Sequence, residues 1–128
     1  MKILLVEDSA LLREIITDAL SNSPLLSVEA YATTQSKAIE LLTEVQFDMI
    51  LVDIELAEGN GFEVIKYTQT VGYPFKKPIV VMFTNHANPY YRNLAKSLNI
   101  PYFFDKSMDF DLAVETIELE AEEFVTHN

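Results

Sequence analysis

The stretch "ILLVEDSALL", residues 3–12, opens as a buried strand and then sets two carboxylates, Glu7 and Asp8, side by side. Residues 3–6 are continuously apolar with no polar alternation, the pattern of a strand covered on both faces. Directly after the acids, Leu11/Leu12, Ile15/Ile16 and Ala19/Leu20 recur every four residues, the stripe of an amphipathic helix. Neither carboxylate is cheaply buried without a partner, and each disfavours ionisation of the other. A positive charge is therefore expected at the turn from this strand into this helix.

The same unit repeats along the chain. Apolar runs recur at 25–32 ("LLSVEAYA"), 49–54 ("MILVDI"), 79–83 ("IVVMF") and 100–104 ("IPYFF"), separated by segments of helical period. Ala38, Leu41/Leu42 and Val45 mark one helix; Phe62 and Ile65, and Leu94 and Leu98, mark shorter ones. Phe110, Ala113, Val114, Ile117, Ala121 and Phe124 form the clearest stripe. Asp8 or Ser9 can cap the first helix and Asp109 the last, while Asn88-Pro89 pairs a cap with proline at the first helical position. Asn99 stands where a left-handed residue closes a helix. Five strands alternating with five helices predict an α/β domain with a parallel sheet and helices on both faces.

Composition bounds the rest. The 128 residues suit one domain, 1–128, with its own core, and no output domain is expected. At 49% hydrophobic the chain is not disordered, no run approaches a membrane span, and "MKILLVED" meets acid too soon for a signal peptide. The expected location is cytoplasmic. Without cysteine, disulfides and thiolate metal sites are excluded. A net charge of −11 repels phosphate backbones and anionic lipid, so neither nucleic acid nor membrane is an expected partner. Part of that excess lies in "ETIELEAEE" (115–123), read as a solvated helix face.

In open parallel sheets, ligands bind beyond the carboxyl ends of the strands. There the first strand offers Glu7 and Asp8, the third Asp53 with Glu55 close by, the fourth Thr84, and the fifth Asp105 and Lys106. With the second strand at the edge, one pocket would collect several carboxylates, a hydroxyl and an ammonium. Hard oxygen ligands favour Mg2+, and a carboxylate beside that ion can act as a nucleophile toward phosphorus. Phosphoryl transfer then asks chiefly for positioning and charge, which the ion, Lys106 and Thr84 would supply. The three glycines, at 59, 61 and 72, do not follow the first strand, so no dinucleotide fingerprint or P-loop is present.

This ordered set resembles the receiver domain of two-component response regulators. "VED" resembles the family's acidic pair, and "ILVDIELAEGNG" its acceptor strand and loop. Thr84 and Lys106 stand 31 and 53 residues after Asp53, close to the family's spacing. The resemblance implies a flavodoxin-like (βα)5 sheet in the order 2-1-3-4-5. It further implies Asp53 as acceptor of phosphate from a histidine kinase or phosphotransfer protein, with Asp8 and Asp53 on Mg2+, Glu7 assisting through water and the Glu55 main-chain carbonyl a further ligand. Lys106 would hold the phosphoryl oxygens, Thr84 would swing toward them, and Phe103 would follow it inward. The signal would then pass to a downstream protein target through the face of helix 4, strand 5 and helix 5, near Tyr90, Tyr91, Arg92 and Lys96. Partner-selecting residues would lie around Leu11, Leu12 and Ile16, where core packing equally explains apolar side chains.

Some positions depart from the family pattern. Ser107 follows Lys106 where the family has proline joined by a cis peptide, and a cis bond before serine costs about 3–4 kcal/mol. Ala57 replaces a proline that would stiffen the loop. Asn85 stands where a smaller residue is usual, and Glu55, Asn85 and His86 occupy positions that tune the phosphoryl lifetime. Two other readings stay open: a degenerate receiver used only as a binding module, and a Mg2+-dependent phosphatase with an aspartate nucleophile. The phosphatase reading lacks the D-x-D expected after the first strand, so beyond its own phosphorylation no enzyme is expected.

Overall fold

The computed structural model describes residues 1–127, so Asn128 of the expected domain lies outside the described residues. Five strands and five helices alternate. They are β1 (Lys2–Val6), α1 (Ala10–Leu20), β2 (Ser27–Ala32), α2 (Gln35–Glu44), β3 (Met49–Val52), α3 (Gly61–Thr68), β4 (Ile79–Thr84), α4 (Pro89–Ser97), β5 (Tyr102–Asp105) and α5 (Phe110–His127). All neighbouring strands pair in parallel, in the order β2-β1-β3-β4-β5. The expected α/β architecture and strand order are those observed.

The continuous apolar runs divide between two cores because successive side chains on a strand point to opposite faces. Ile3, Leu5, Met49, Leu51, Val81 and Phe83 pack with Ile16 and Leu20 of α1 and with Ala113, Ile117 and Ala121 of α5. Leu4, Val6, Ile50, Val52, Val80 and Met82 face the other way, onto Ala38 and Leu42 of α2, Val64 and Ile65 of α3 and Ala95 of α4. Burying each such side chain contributes roughly 1.5–3 kcal/mol. β3, central in the sheet, is buried throughout, whereas β5 at the edge is half-buried except at Phe104.

Some boundaries differ from the sequence reading. β2 starts at Ser27 and β5 at Tyr102, because Leu25, Leu26 and Ile100 fill core space from the connections rather than from the ladder, while Pro101 is exposed. β3 stops at Val52, which leaves Asp53 in the turn.

The helix starts account for the position of the loops. Ser9, Thr34, Asn60 and Asn88 each accept a backbone N–H of the first turn through their side chains, at 3.0–3.2 Å. Such a cap is worth about 0.5–2 kcal/mol. Ser9, not Asp8, caps α1, so the Asp8 carboxylate remains exposed beside the turn. Asn99 takes the left-handed conformation, with φ 58°. Asp109 gives only its carbonyl to α5, accepting from the Ala113 N–H; its carboxylate turns back to the Asp105 N–H, 2.9 Å away.

Gly61 brings α3 directly under the end of β3. Its N–H donates to the Ile54 carbonyl, and a Cβ there would sit 2.0 Å from the Asp53 carbonyl oxygen and 2.9 Å from Val52 Cγ2. By contrast, a Cβ at Gly72 would meet nothing within 4 Å. Gly61→Ala should therefore cost about 1–3 kcal/mol of unfolding free energy. Gly72→Ala should stay within about 0.5 kcal/mol of wild type, both read from urea denaturation midpoints.

Candidate functional site

Three strand ends converge on one ammonium. The Lys106 Nζ, which follows β5, lies 2.5 Å from Glu7 Oε1 and 2.7 Å from Asp53 Oδ2. Glu7 follows β1 and is 2% exposed; Asp53 follows β3 and is 7% exposed. Two carboxylates at that burial need compensation, and the lysine gives it to both.

Each acid is also held locally. Asp53 Oδ1 accepts the Ile54 N–H at 2.7 Å, and the Asp53 N–H donates to the Val6 carbonyl. Glu7 Oε2 accepts the Ser9 N–H at 3.1 Å, while its carbonyl accepts a hydrogen bond from Arg13 Nη1 at 3.0 Å. Arg13 lies over the Tyr31 ring with its Cζ 4.3 Å from the centroid. Its position on α1, one turn beyond the acids, was the available signal for this clasp, and the sequence reading passed over it.

Burial pushes the Glu7 carboxyl above its ordinary range, only partly countered by Lys106 and the Ser9 amide. Burial alone would pull Lys106 down, but its bonds to Asp53 and Glu7 outweigh this and hold the ammonium above its ordinary value.

Oxygen atoms of Glu7, Asp8 and Asp53 lie within 4.8 Å of one another. Such a set of hard donors, two buried and one open to solvent, is compatible with Mg2+. Thr84, fully buried at the end of β4, accepts the His86 N–H at 3.1 Å through its hydroxyl, and its carbonyl accepts the Lys106 N–H. Thus Glu7, Asp8, Asp53, Thr84 and Lys106 are brought to one edge of the sheet.

The remaining candidates stand around that group. The Glu55 carboxylate turns outward to His86 Nε2 at 2.8 Å, a link between the loops after β3 and β4. Asn85 is exposed. Phe103 sits on the α4 side of β5, away from the acids, with Arg92 Cζ 5.0 Å above its ring. Tyr91 is stacked on Phe62, whereas Tyr90 is 68% exposed. Leu11 is 66% exposed on α1 and Ile16 belongs to the core, so the expected partner-selecting trio splits between surface and interior.

After Lys106 the backbone is trans, and no peptide bond among the described residues is cis. Asp105 Oδ1 accepts from the Ser107 N–H, the Ser107 hydroxyl and the Met108 N–H at 2.7–3.1 Å. These bonds, the Ser107 hydroxyl first, hold the Asp105 carboxyl below its ordinary range. A carboxylate-centred turn therefore fixes the loop in which the family's proline was missing.

Replacing Lys106 with methionine strands two buried acids. A fully enclosed pair would lose roughly 3–5 kcal/mol, but the site opens at Asp8, so Lys106→Met should cost about 1–3 kcal/mol at neutral pH by urea unfolding. Lys106 is raised in the fold, so its contribution is complete below its unfolded value of 10.5 and disappears as pH rises through the folded one. In the variant, Glu7 takes up its proton in the fold before it does in the unfolded chain. The penalty should therefore shrink as pH falls toward 4.5, the ordinary Glu7 value.

Comparison with known proteins identifies the family. The protein-glutamate methylesterase/protein-glutamine glutaminase 2 of Koribacter versatilis (strain Ellin345) is 25% identical over 125 residues, 98% of this chain and 33% of that protein. The corresponding protein of Treponema pallidum (strain Nichols) is 36% identical over 64 residues, 50% of this chain and 16% of that protein. The chain spans no more than about a third of the length of these curated relatives. Among solved structures, the response regulator domain of Thermotoga maritima CheB superposes with a TM-score of 0.79 at 22% identity, covering 96% of this chain and 94% of that one. A DNA-binding response regulator of the LuxR family from Staphylococcus aureus gives 0.81 at 20% identity, covering 94% and 98%. These likenesses show the fold. The model of the response regulator receiver domain matches residues 3–118, a span that takes in β1 from Ile3, the other four strands whole and every residue of the Lys106 cluster, and this chain belongs to that family.

Proposed function

We propose that this chain is a phosphorylation switch that accepts a phosphoryl group on Asp53 in a Mg2+-dependent reaction. The donor would be a phosphohistidine of a histidine kinase or phosphotransfer protein. The observation that carries this reading is the Lys106 ammonium held between Glu7 and Asp53, with Asp8 open beside them and the Thr84 hydroxyl at the next strand end. Asp8 and Asp53 would hold the metal, with Glu7 and the Glu55 main-chain carbonyl completing the protein's share. When bound, Mg2+ supplies positive charge against the gathered carboxylates and the incoming phosphoryl oxygens.

The chain's own groups do the rest. An Asp53 carboxylate oxygen forms the new bond to phosphorus as the phosphorus–nitrogen bond breaks, and the imidazole leaves with that electron pair. Lys106 exchanges carboxylate oxygens for phosphoryl oxygens. Thr84 gives up the His86 N–H and donates its hydroxyl to the phosphoryl group. Phe103 moves into the space this opens, and the changed α4–β5–α5 face is read by a downstream protein target. On this reading the chain acts as a receiver domain in the cytoplasm and is not an enzyme beyond its own phosphorylation and hydrolysis.

Incubation with Mg2+ and acetyl phosphate should label Asp53, detected as the intact-protein mass increment and mapped by peptide analysis. Asp53→Asn or removal of Mg2+ by chelation should abolish the label. A wild-type protein that stays unlabelled under these conditions would leave only the binding-module reading.

The His86–Glu55 pair joins the two loops that flank Asp53, so it limits access of water. His86→Ala should shorten the phosphoryl half-life by about 2–10-fold, on the order of 0.4–1.4 kcal/mol in barrier. Loss of the labelled species after removal of the donor measures it.

A further inference from the structure

Arg92 projects from α4 across the sheet edge. Its guanidinium lies over the Phe103 ring of β5, with Cζ 5.0 Å from the centroid. The ring packs beside Leu94 and Leu98 on the same side of the sheet and stands opposite Met82 in the β4–β5 register. The charge of Arg92 also contributes to holding Asp105 ionised, and Asp105 centres the turn that follows Lys106. One side chain of α4 thus reaches both the ring and the surroundings of the loop that presents the site lysine.

We propose that Arg92 is a positioning residue that latches Phe103 against α4 and sets how readily the ring turns toward Thr84. The proposal rests on reading Thr84 and Phe103 as the switch pair. A guanidinium prefers the face of an aromatic ring, where the quadrupole is negative, so the contact depends on ring orientation in a way that an aliphatic neighbour would not. Turning the ring inward breaks the contact and returns the guanidinium to water. At a partly exposed position this biases the two ring orientations by about two- to fivefold. The resting protein therefore holds the outward ring by a charge on α4, and the turn of the ring releases that charge at the face offered to a partner.

The test places 4-fluorophenylalanine at position 103 and follows its 19F signal in the metal-free, unphosphorylated protein. Arg92→Gln keeps a polar stem but removes the cation, and should shift the ratio of outward to inward ring about two- to fivefold toward inward. Arg92→Lys retains a cation and should recover most of the wild-type ratio. An unchanged ratio in Arg92→Gln, or a lysine variant no better than the glutamine variant, would overturn the latch. Addition of Mg2+ and beryllofluoride to the wild type separates this from the switch reading. A ring that stays outward there, while Arg92→Gln still shifts the resting ratio, removes Phe103 from the switch but leaves Arg92 as what holds it.

Discussion

The contact on which this structure turns is the ammonium of Lys106 between the buried carboxylates of Glu7 and Asp53. Either acid alone at that depth would protonate or draw water inward. Together they need a cation, and Lys106 supplies it from the far side of the sheet, beyond β4. The requirement explains why β5, the half-buried edge strand, must stay in register: its Asp105 pairs opposite Thr84, and the next residue delivers the ammonium. Packing and electrostatics therefore specify the same strand order.

The same contact suits the chemistry proposed for the site. A lysine with two carboxylate partners can release one oxygen to gain another without being left unpaired. Asp53 likewise has one oxygen on the Ile54 amide and the other on Lys106. On the proposed reading, rearrangement would substitute one set of charge-assisted bonds for another. The surrounding parts are less deeply tied. Glu55–His86 is an exposed pair, Asn85 is exposed, and the loop after Lys106 hangs on the Asp105 turn.

Much of the fold was legible because its signals are local or periodic. Runs such as residues 49–52 and 79–83, helical stripes, and caps at Ser9 and Asn88 each act over a few residues. The misjudged edges have a common cause. Leu25, Leu26 and Ile100 are apolar because they fill core space, and an apolar residue in a connection looks no different in sequence from one in a strand. Asp109 illustrates a similar limit, since a side chain placed to cap a helix found a better donor at Asp105.

By itself the sequence determined the alternation of strands and helices, the placement of acids, hydroxyl and lysine at strand ends, and the absence of a glycine cradle for phosphate. Those features follow from residue type and spacing alone. Only the tertiary structure decided that one ammonium would serve both Glu7 and Asp53, that Arg13 would clasp Glu7, and that Arg92 would cover Phe103. Each of these joins residues from different elements, at distances set by sheet register and by the angle at which helices cross it. Charge can be read along a chain, but the sharing of a charge depends on which strands lie side by side.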